Sequence, residues 1–389
     1  MGSTGSRAIA MSFGLYLHFP FCRNKCSYCD FYKELHDKSL EGQFYDALLR
    51  ETELLAARYA DSDREISSIF IGGGTPSISN LTLMGEWLDL LRAQFVVRDG
   101  LEFSIECNPE SVTLEKLEML KSLGVNRPVF GIQSFKPKLL SVLDRKHDPH
   151  HSQQAVYWAS VLGFENYGVD VIFGLPGQTD RMLTTDLDEI ISIAPPHISF
   201  YQLTVEPGTK LAAEVDSGRL RLPDNDYNFA LYKGGCDQMA EAGYERYEVS
   251  SFARPGFECR HNIGYWDGSD YLALGPSAHS FMQGRRYANH SDLQGYIKAL
   301  EAGELPQIED ATGDEARVTE AIMLGLRTSH GIDRVRFNER FGVPLENRLN
   351  RKQYDLLIGS GHLIPDKGSL RLSDDGLCLA DEITQRLLK

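Results

Sequence analysis

From residue 11 to residue 202 the chain alternates apolar runs of six or seven residues with longer stretches whose apolar positions recur every three or four. The runs at 14–19, 66–71, 101–106, 127–133, 168–173 and 197–202 read as buried strands, and the stretches near 38–59, 81–94, 114–123, 151–162 and 181–193 as amphipathic helices. Strands separated by helix-length connections pair in parallel, so the expected fold is α/β, with a curved sheet or a partial (β/α)6 barrel. Pro128 within 127–133 removes one ladder donor from an otherwise regular strand.

Past residue 312 the pattern changes. Helical periodicity at 314–327, 334–341 and 345–358 is followed by a hairpin signal at 363–373 and a terminal helix through 388. Three helices with a hairpin predict a small winged-helix-like α+β domain. Its arginines alternate with acids, which points to a protein-contacting or lid role rather than DNA binding. The expected division is a disordered extension at 1–10, a barrel at 11–225, a barrel extension and linker at 226–311 in which 264–280 reads as a Gly/Pro-punctuated connection, and the C-terminal domain at 312–389, with a hinge near 304–313.

Sheets of this kind carry their chemistry at the carboxyl ends of the strands. There the sequence places a cysteine loop after the first strand, Gly72-Gly73-Gly74-Thr75-Pro76 after the second, Glu106-Cys107-Asn108-Pro109 after the third, Gln133-Ser134-Phe135 after the fourth, and Asp170 with Gly174-Leu175-Pro176-Gly177 at the fifth. The loop holds Cys22, Cys26 and Cys29 within eight residues. Thiolates at that density are soft ligands for iron or zinc, and three of them leave one iron of a 4Fe-4S cube open to a further ligand. Zinc calls for a fourth ligand, for which His18 and His36 are the nearest choices, and a disulfide framework calls for a short secreted chain with an even count. The chain has seven cysteines in 389 residues.

Composition narrows the class. With 42% hydrophobic and 24% charged residues, the chain has an ordinary globular make-up. A net charge of -15 opposes a nucleic-acid partner. No apolar run of about eighteen residues is present, and the first ten residues lack the apolar segment of a signal peptide, so a cytoplasmic, reducing setting is expected.

Cys-x-x-x-Cys-x-Tyr-Cys, Gly-Gly-Gly-Thr-Pro, Glu-x-Asn-Pro-Glu, Gly-Ile-Gln-Ser-Phe, Leu-Asp-Arg-Lys-His and Asp-Val-Ile-Phe-Gly-Leu-Pro-Gly-Gln-Thr follow one another in this chain. In that order they resemble the radical S-adenosylmethionine (SAM) proteins of the coproporphyrinogen dehydrogenase-like group, from about residue 14 to beyond residue 280. The resemblance implies that Cys22, Cys26 and Cys29 hold a 4Fe-4S cluster whose fourth iron takes the amino and carboxylate groups of SAM. It further implies that Tyr16, Tyr28, Gly73, Gly74, Thr75, Glu106, Gln133, Arg145 and Asp170 contact SAM. Carboxylates suit its ammonium and ribose, a guanidinium its carboxylate, and an aromatic ring its adenine. No side chain is assigned a catalytic role.

Within the group, the dehydrogenases carry a further cysteine where this chain has Phe31, and a longer segment before the cluster. Both departures, with His-Asn-x-x-Tyr-Trp at 261–266, resemble the HemW branch, understood as heme chaperones. That likeness implies heme as cargo, His261 as its axial ligand with Cys259 as a thiolate alternative, and an acceptor protein, such as a respiratory heme protein, through which alone any membrane contact would come. His279 reads as structural, although it too is able to ligate iron. Cys107, Cys236 and Cys378 read as core residues. Coproporphyrinogen III oxidation is the rival activity, and radical opening of the heme ring a third.

Overall fold

The computed structural model describes residues 11–60, 64–310 and 312–388; the extension expected at 1–10 lies outside them. Twelve strands form one open sheet: β1 (Met11–Phe19), β2 (Arg64–Gly73), β3 (Val96–Cys107), β4 (Arg127–Gln133), β5 (Gly168–Phe173), β6 (His197–Gln202), β7 (Glu245–Glu248), β8 (Ser251–Ala253), β9 (Tyr271–Leu274), β10 (His279–Met282), β11 (Arg285–Asn289) and β12 (Gln307–Asp310). Their order is β12-β11-β10-β9-β1-β2-β3-β4-β5-β6-β8-β7. The first six strands are parallel, as the alternation requires, and β4 keeps its register on β3 across Pro128.

Helices cover the outer face. The longest, Lys38–Arg58, is N-capped by Asp37 and buries Phe44, Leu48 and Leu55 against the sheet. Leu81–Gln94 packs beside it through Trp87, whose Nε1 donates to Thr52 Oγ1 at 3.0 Å. These residues belong to the main apolar core, and the C-terminal domain has a second core of its own around Ile322, Leu326, Leu370 and Leu387. That domain runs helix, strand, helix, helix, strand, strand, and its three short strands make an antiparallel sheet, a winged-helix-like order.

Two expectations are corrected. The helix expected at 345–358 is a 3-10 turn at Leu345–Arg348 followed by a separate helix, Arg351–Gly359. Asn350 divides them, because its side chain accepts from Gln353 N and caps the second piece. The segment 264–280, read as a plain connection, contains β9, which pairs in parallel with β1 and starts a four-strand antiparallel extension of the sheet.

Candidate functional site

The cysteine loop is tied down from several sides. Phe21–Cys22 pairs with Glu34–Leu35, Ser27 N–H donates to Leu143 O at 3.2 Å, Ser27 Oγ donates to Val142 O at 2.8 Å, and Leu211 N–H donates to Ser27 O at 2.8 Å. Cys22 is buried, and Cys26 and Cys29 are half-buried; all three are free thiols lining a cavity of about 540 Å³. Thr75 Oγ1 donates to Cys22 Sγ at 3.3 Å, and Arg145 Nη1 to Cys26 Sγ at 3.6 Å. Such donors stabilise thiolates.

The sequence folds this way because the strand ends are cut to fit. Gly73 has φ +101°, and a Cβ there would meet the His18 ring at 2.7 Å. Its N–H donates to Glu106 Oε2 at 3.2 Å. At Gly131 a Cβ would lie 2.7 Å from Arg145 Nη2 and 2.9 Å from Gln133 Nε2, so glycine is what lets both side chains reach the cavity. Gln133 itself holds φ +68°, a strained conformation for a non-glycine residue at the end of a strand.

Glu106 and Asp170 face this cavity from β3 and β5. Burial, the nearby Asp170 charge and a partly compensating Gly73 N–H leave the Glu106 carboxyl pushed up to about 8. Burial likewise raises Asp170 to about 6, against the Ser199 hydroxyl, Arg127 and Arg145, which pull it down. Two carboxyls held above their ordinary range form a site short of positive charge. Arg145 is half-buried, with its Nε buried and unpartnered among the described residues.

Of the residues the sequence associates with SAM, Tyr28, Gly73, Gly74, Thr75, Glu106, Gln133, Arg145 and Asp170 line this one cavity together with the three cysteines. Tyr16 does not: it lines a neighbouring cavity and hydrogen-bonds His18 Nδ1 at 3.3 Å. Sequence reasoning missed Ser199 and Tyr201 of β6. Tyr201 OH donates to Gln133 Oε1 at 2.9 Å, and Ser199 stands opposite Asp170 in register. The period-two alternation of 197–202 was the signal that pointed both inward.

The neighbouring cavity, about 740 Å³, lies between the β1/β9/β10 edge and the C-terminal domain, and shares Asp30 and Phe31 with the first. Its wall is aromatic (Tyr16, Tyr32, Tyr265, Trp266, Tyr271, Phe281), with Arg286, Arg317 and Arg340 at its polar side. Arg286 pairs with Glu320, whereas Arg340 makes no ion pair among the described residues. His279 also lines it, exposed and without a side-chain hydrogen bond among the described residues.

His261, which the resemblance implies as the axial ligand of heme, is enclosed by protein side chains. It sits in the helix Arg260–Trp266, 3% exposed, with Nδ1 2.9 Å from Ser68 Oγ and Nε2 2.7 Å from Tyr265 OH. Glu102 fastens the helix start, accepting from Arg260 N–H at 3.1 Å, His261 N–H at 3.0 Å and Cys259 Sγ at 3.4 Å. Burial pushes the imidazole down to about 3, so it is neutral. Both ring nitrogens of His261 are thus engaged by side chains of the protein, and Tyr265 is the member of this pair that lines the neighbouring cavity. Cys259 is fully buried as well.

Among the described residues no three His, Cys, Asp or Glu side chains lie close enough to hold a single metal ion. Nor is any helix of the described residues long and apolar enough to cross a membrane.

Comparison with known proteins agrees with this geometry. The Radical SAM superfamily model matches residues 16–190, and the HemN C-terminal domain model residues 314–379. Relatives named Heme chaperone HemW are 34% identical in Mycobacterium tuberculosis, over 97% of this chain and 95% of that one, and 32% identical in Bacillus subtilis, over 95% and 97%. The solved coproporphyrinogen III oxidase HemN of Escherichia coli, a radical SAM enzyme, superimposes with a TM-score of 0.82 at 23% identity, over 98% of this chain and 91% of that chain, and so shares the fold. A radical SAM domain implies a 4Fe-4S cluster and SAM, and the donor set described above fits both.

Proposed function

The chain belongs to the HemW family of radical SAM proteins, and from that membership we propose that it is a heme chaperone, holding heme beside a 4Fe-4S cluster with exchangeable SAM and handing the heme to an acceptor protein. Cys22, Cys26 and Cys29 would hold the cluster, with Thr75 and Arg145 as donors to the thiolates. When bound, the cluster supplies one-electron reduction of SAM. Arg145 suits the SAM carboxylate, Glu106 and Asp170 its ammonium or ribose hydroxyls, and Tyr28 its adenine.

The observation that carries the chaperone reading is the aromatic, arginine-edged cavity of about 740 Å³ adjoining the cysteine cavity. Its size and wall suit a flat apolar ring system, and its arginines suit carboxylate side arms. His279 is the imidazole open to it, the standard type of heme-iron ligand, while Arg340 and Arg286 would meet the propionates. His261 acts through Tyr265, whose hydroxyl it holds at the cavity wall.

Hemin titration of anaerobically reconstituted protein tests this reading. A Soret shift is expected in the wild type, and a loss of that shift in His279→Ala. An unchanged Soret band in the wild type overturns the chaperone reading; a silent His279→Ala beside an inactive His261→Ala returns the ligand to His261 by release of Tyr265. Coproporphyrinogen III should come through incubation with the reduced protein unconverted; its oxidation with matching 5'-deoxyadenosine release would instead make the chain an oxidase.

A further inference from the structure

Outside the lining of both cavities, the sheet region and the C-terminal domain meet at a pair of cysteines. Cys236 lies on the buried face of the helix Asn225–Glu241, and Cys378 caps the short helix Asp374–Leu377. Both are free thiols, Cys236 buried and Cys378 half-buried, and Cys378 Sγ also lies 3.4 Å from Asp374 O. A single nitrogen, Arg246 Nη1 of β7, lies 3.7 Å from Cys236 Sγ and 3.4 Å from Cys378 Sγ. Arg246 is held in turn by Tyr232 OH at 3.2 Å and Asp374 O at 2.5 Å. The other charges facing the pair are Lys233, paired with Asp375 at 2.9 Å, the Asp374 carboxylate, 3.5 Å from Arg246, and His362 beside Asp375. Cys378 also opens onto a cavity of about 380 Å³ that it shares with Tyr232, Asn225, Asn228 and Arg327.

We infer that Cys236 and Cys378 form an oxidisable dithiol whose substrates are low-molecular-weight disulfides, with Cys378 as the attacking thiol and Cys236 as the resolving one. Cys378 thiolate attacks one sulfur of the small disulfide, breaking its S–S bond; a mixed disulfide forms and one small thiolate leaves. Cys236 then gives up its proton to that leaving group and attacks the Cys378 sulfur, which forms the protein disulfide and releases the second small fragment as a thiolate that takes its proton from solvent. Two electrons pass from the protein dithiol to the small disulfide, which departs as two thiols.

The environment assigns these roles. Interaction with the neighbouring Cys236 thiol, the Arg246 guanidinium 3.4 Å away and the Lys233 charge outweigh burial and push Cys378 down to about 6, while interaction with Cys378 and burial push Cys236 up. A thiolate that is half-exposed, beside a guanidinium and next to a buried thiol partner, is the arrangement of a reactive cysteine rather than of an inert core one. The bond, once formed, would staple the C-terminal domain to the sheet region.

The test uses the full-length, cluster-reconstituted chain in anaerobic glutathione buffers of rising oxidised fraction, trapped with N-ethylmaleimide and mapped by mass spectrometry. A cross-linked peptide joining Cys236 to Cys378 is expected, whereas Cys236→Ser should stop at the Cys378–glutathione mixed disulfide. Alkylation of Cys378 in the reduced wild type should have its pH midpoint near 6. Arg246→Gln should move that midpoint up by about one pH unit or more, toward the roughly 8.5 of an ordinary thiol. Absence of the cross-link at every ratio, a mixed disulfide that persists in the wild type, or a wild-type midpoint near the ordinary value overturns the inference, and the last reading needs no variant to fold.

Discussion

The two adjoining cavities are built on opposite plans. The cysteine cavity is drawn from the carboxyl-terminal halves of the parallel strands and the loops that follow them, so its frame inherits the rigidity of the parallel sheet. The larger cavity is assembled from β1, the loop at Asp30–Tyr32, the helix Arg260–Trp266, the antiparallel extension and the C-terminal domain. The first is suited to a resident group that must be held still, the second to a cargo that enters and leaves past a separately folded wall. If that division is right, the two should fail independently.

Replacing Cys22, Cys26 and Cys29 together by serine gives the largest effect: iron and acid-labile sulfide should fall to background, read by iron analysis and the cluster absorbance, with hemin affinity changed less than about threefold, because none of the three cysteines lines the second cavity and the two share only Asp30 and Phe31. Loss of hemin binding alongside the iron would join the two cavities into one site. The converse is Arg340→Met. Removing a charge-assisted contact should weaken hemin binding by about ten- to a hundredfold by fluorescence quenching and leave iron content as in the wild type.

The same difference explains what was readable beforehand. All six parallel strands and the cysteine loop were legible, and eight of the nine residues expected to contact SAM come together in one cavity, because period-two runs and short motifs at strand ends are local signals. The second cavity was not. Tyr271-Leu-Ala-Leu274 is too short and too closely flanked by Gly268 and Gly275 to announce a strand, and its partner in β1 lies far away in sequence. His261 carried a recognisable motif, yet its role depends on Glu102 and Ser68, which local pattern does not bring to it. Cys236 and Cys378 looked like isolated core residues for the same reason: only the docking of the C-terminal domain joins them.

Gly131→Ala sharpens the contrast within the cysteine cavity. The added Cβ would press on Arg145 and Gln133, and Arg145 also touches Cys26, so the strain falls on the SAM side without removing a cluster ligand. A cost of roughly 1–2 kcal/mol, or about a tenfold rise in the SAM Kd by equilibrium dialysis, is expected with iron retained. Wild-type SAM affinity would show that Arg145 is not a SAM contact.

The smallest expected effect is one of pH. With Glu106 pushed up to about 8, the empty cavity carries a proton there at neutral pH, and a cationic ligand must displace it to meet a carboxylate. Affinity for SAM should therefore rise with pH and level off above about 8; release of one proton from a group near 8 amounts to about fivefold between pH 7 and pH 8. Asp170, near 6, adds its share only at lower pH. Any titration of SAM's own amino group is common to wild type and Glu106→Gln, so the difference between their profiles isolates Glu106. The hemin affinity of the second cavity, which Glu106 does not line, should show no such difference. Parallel SAM profiles in the two proteins would mean that Glu106 keeps its proton throughout and serves the site as a neutral hydrogen-bonding group, leaving Asp170 as the carboxylate that answers the ligand's charge.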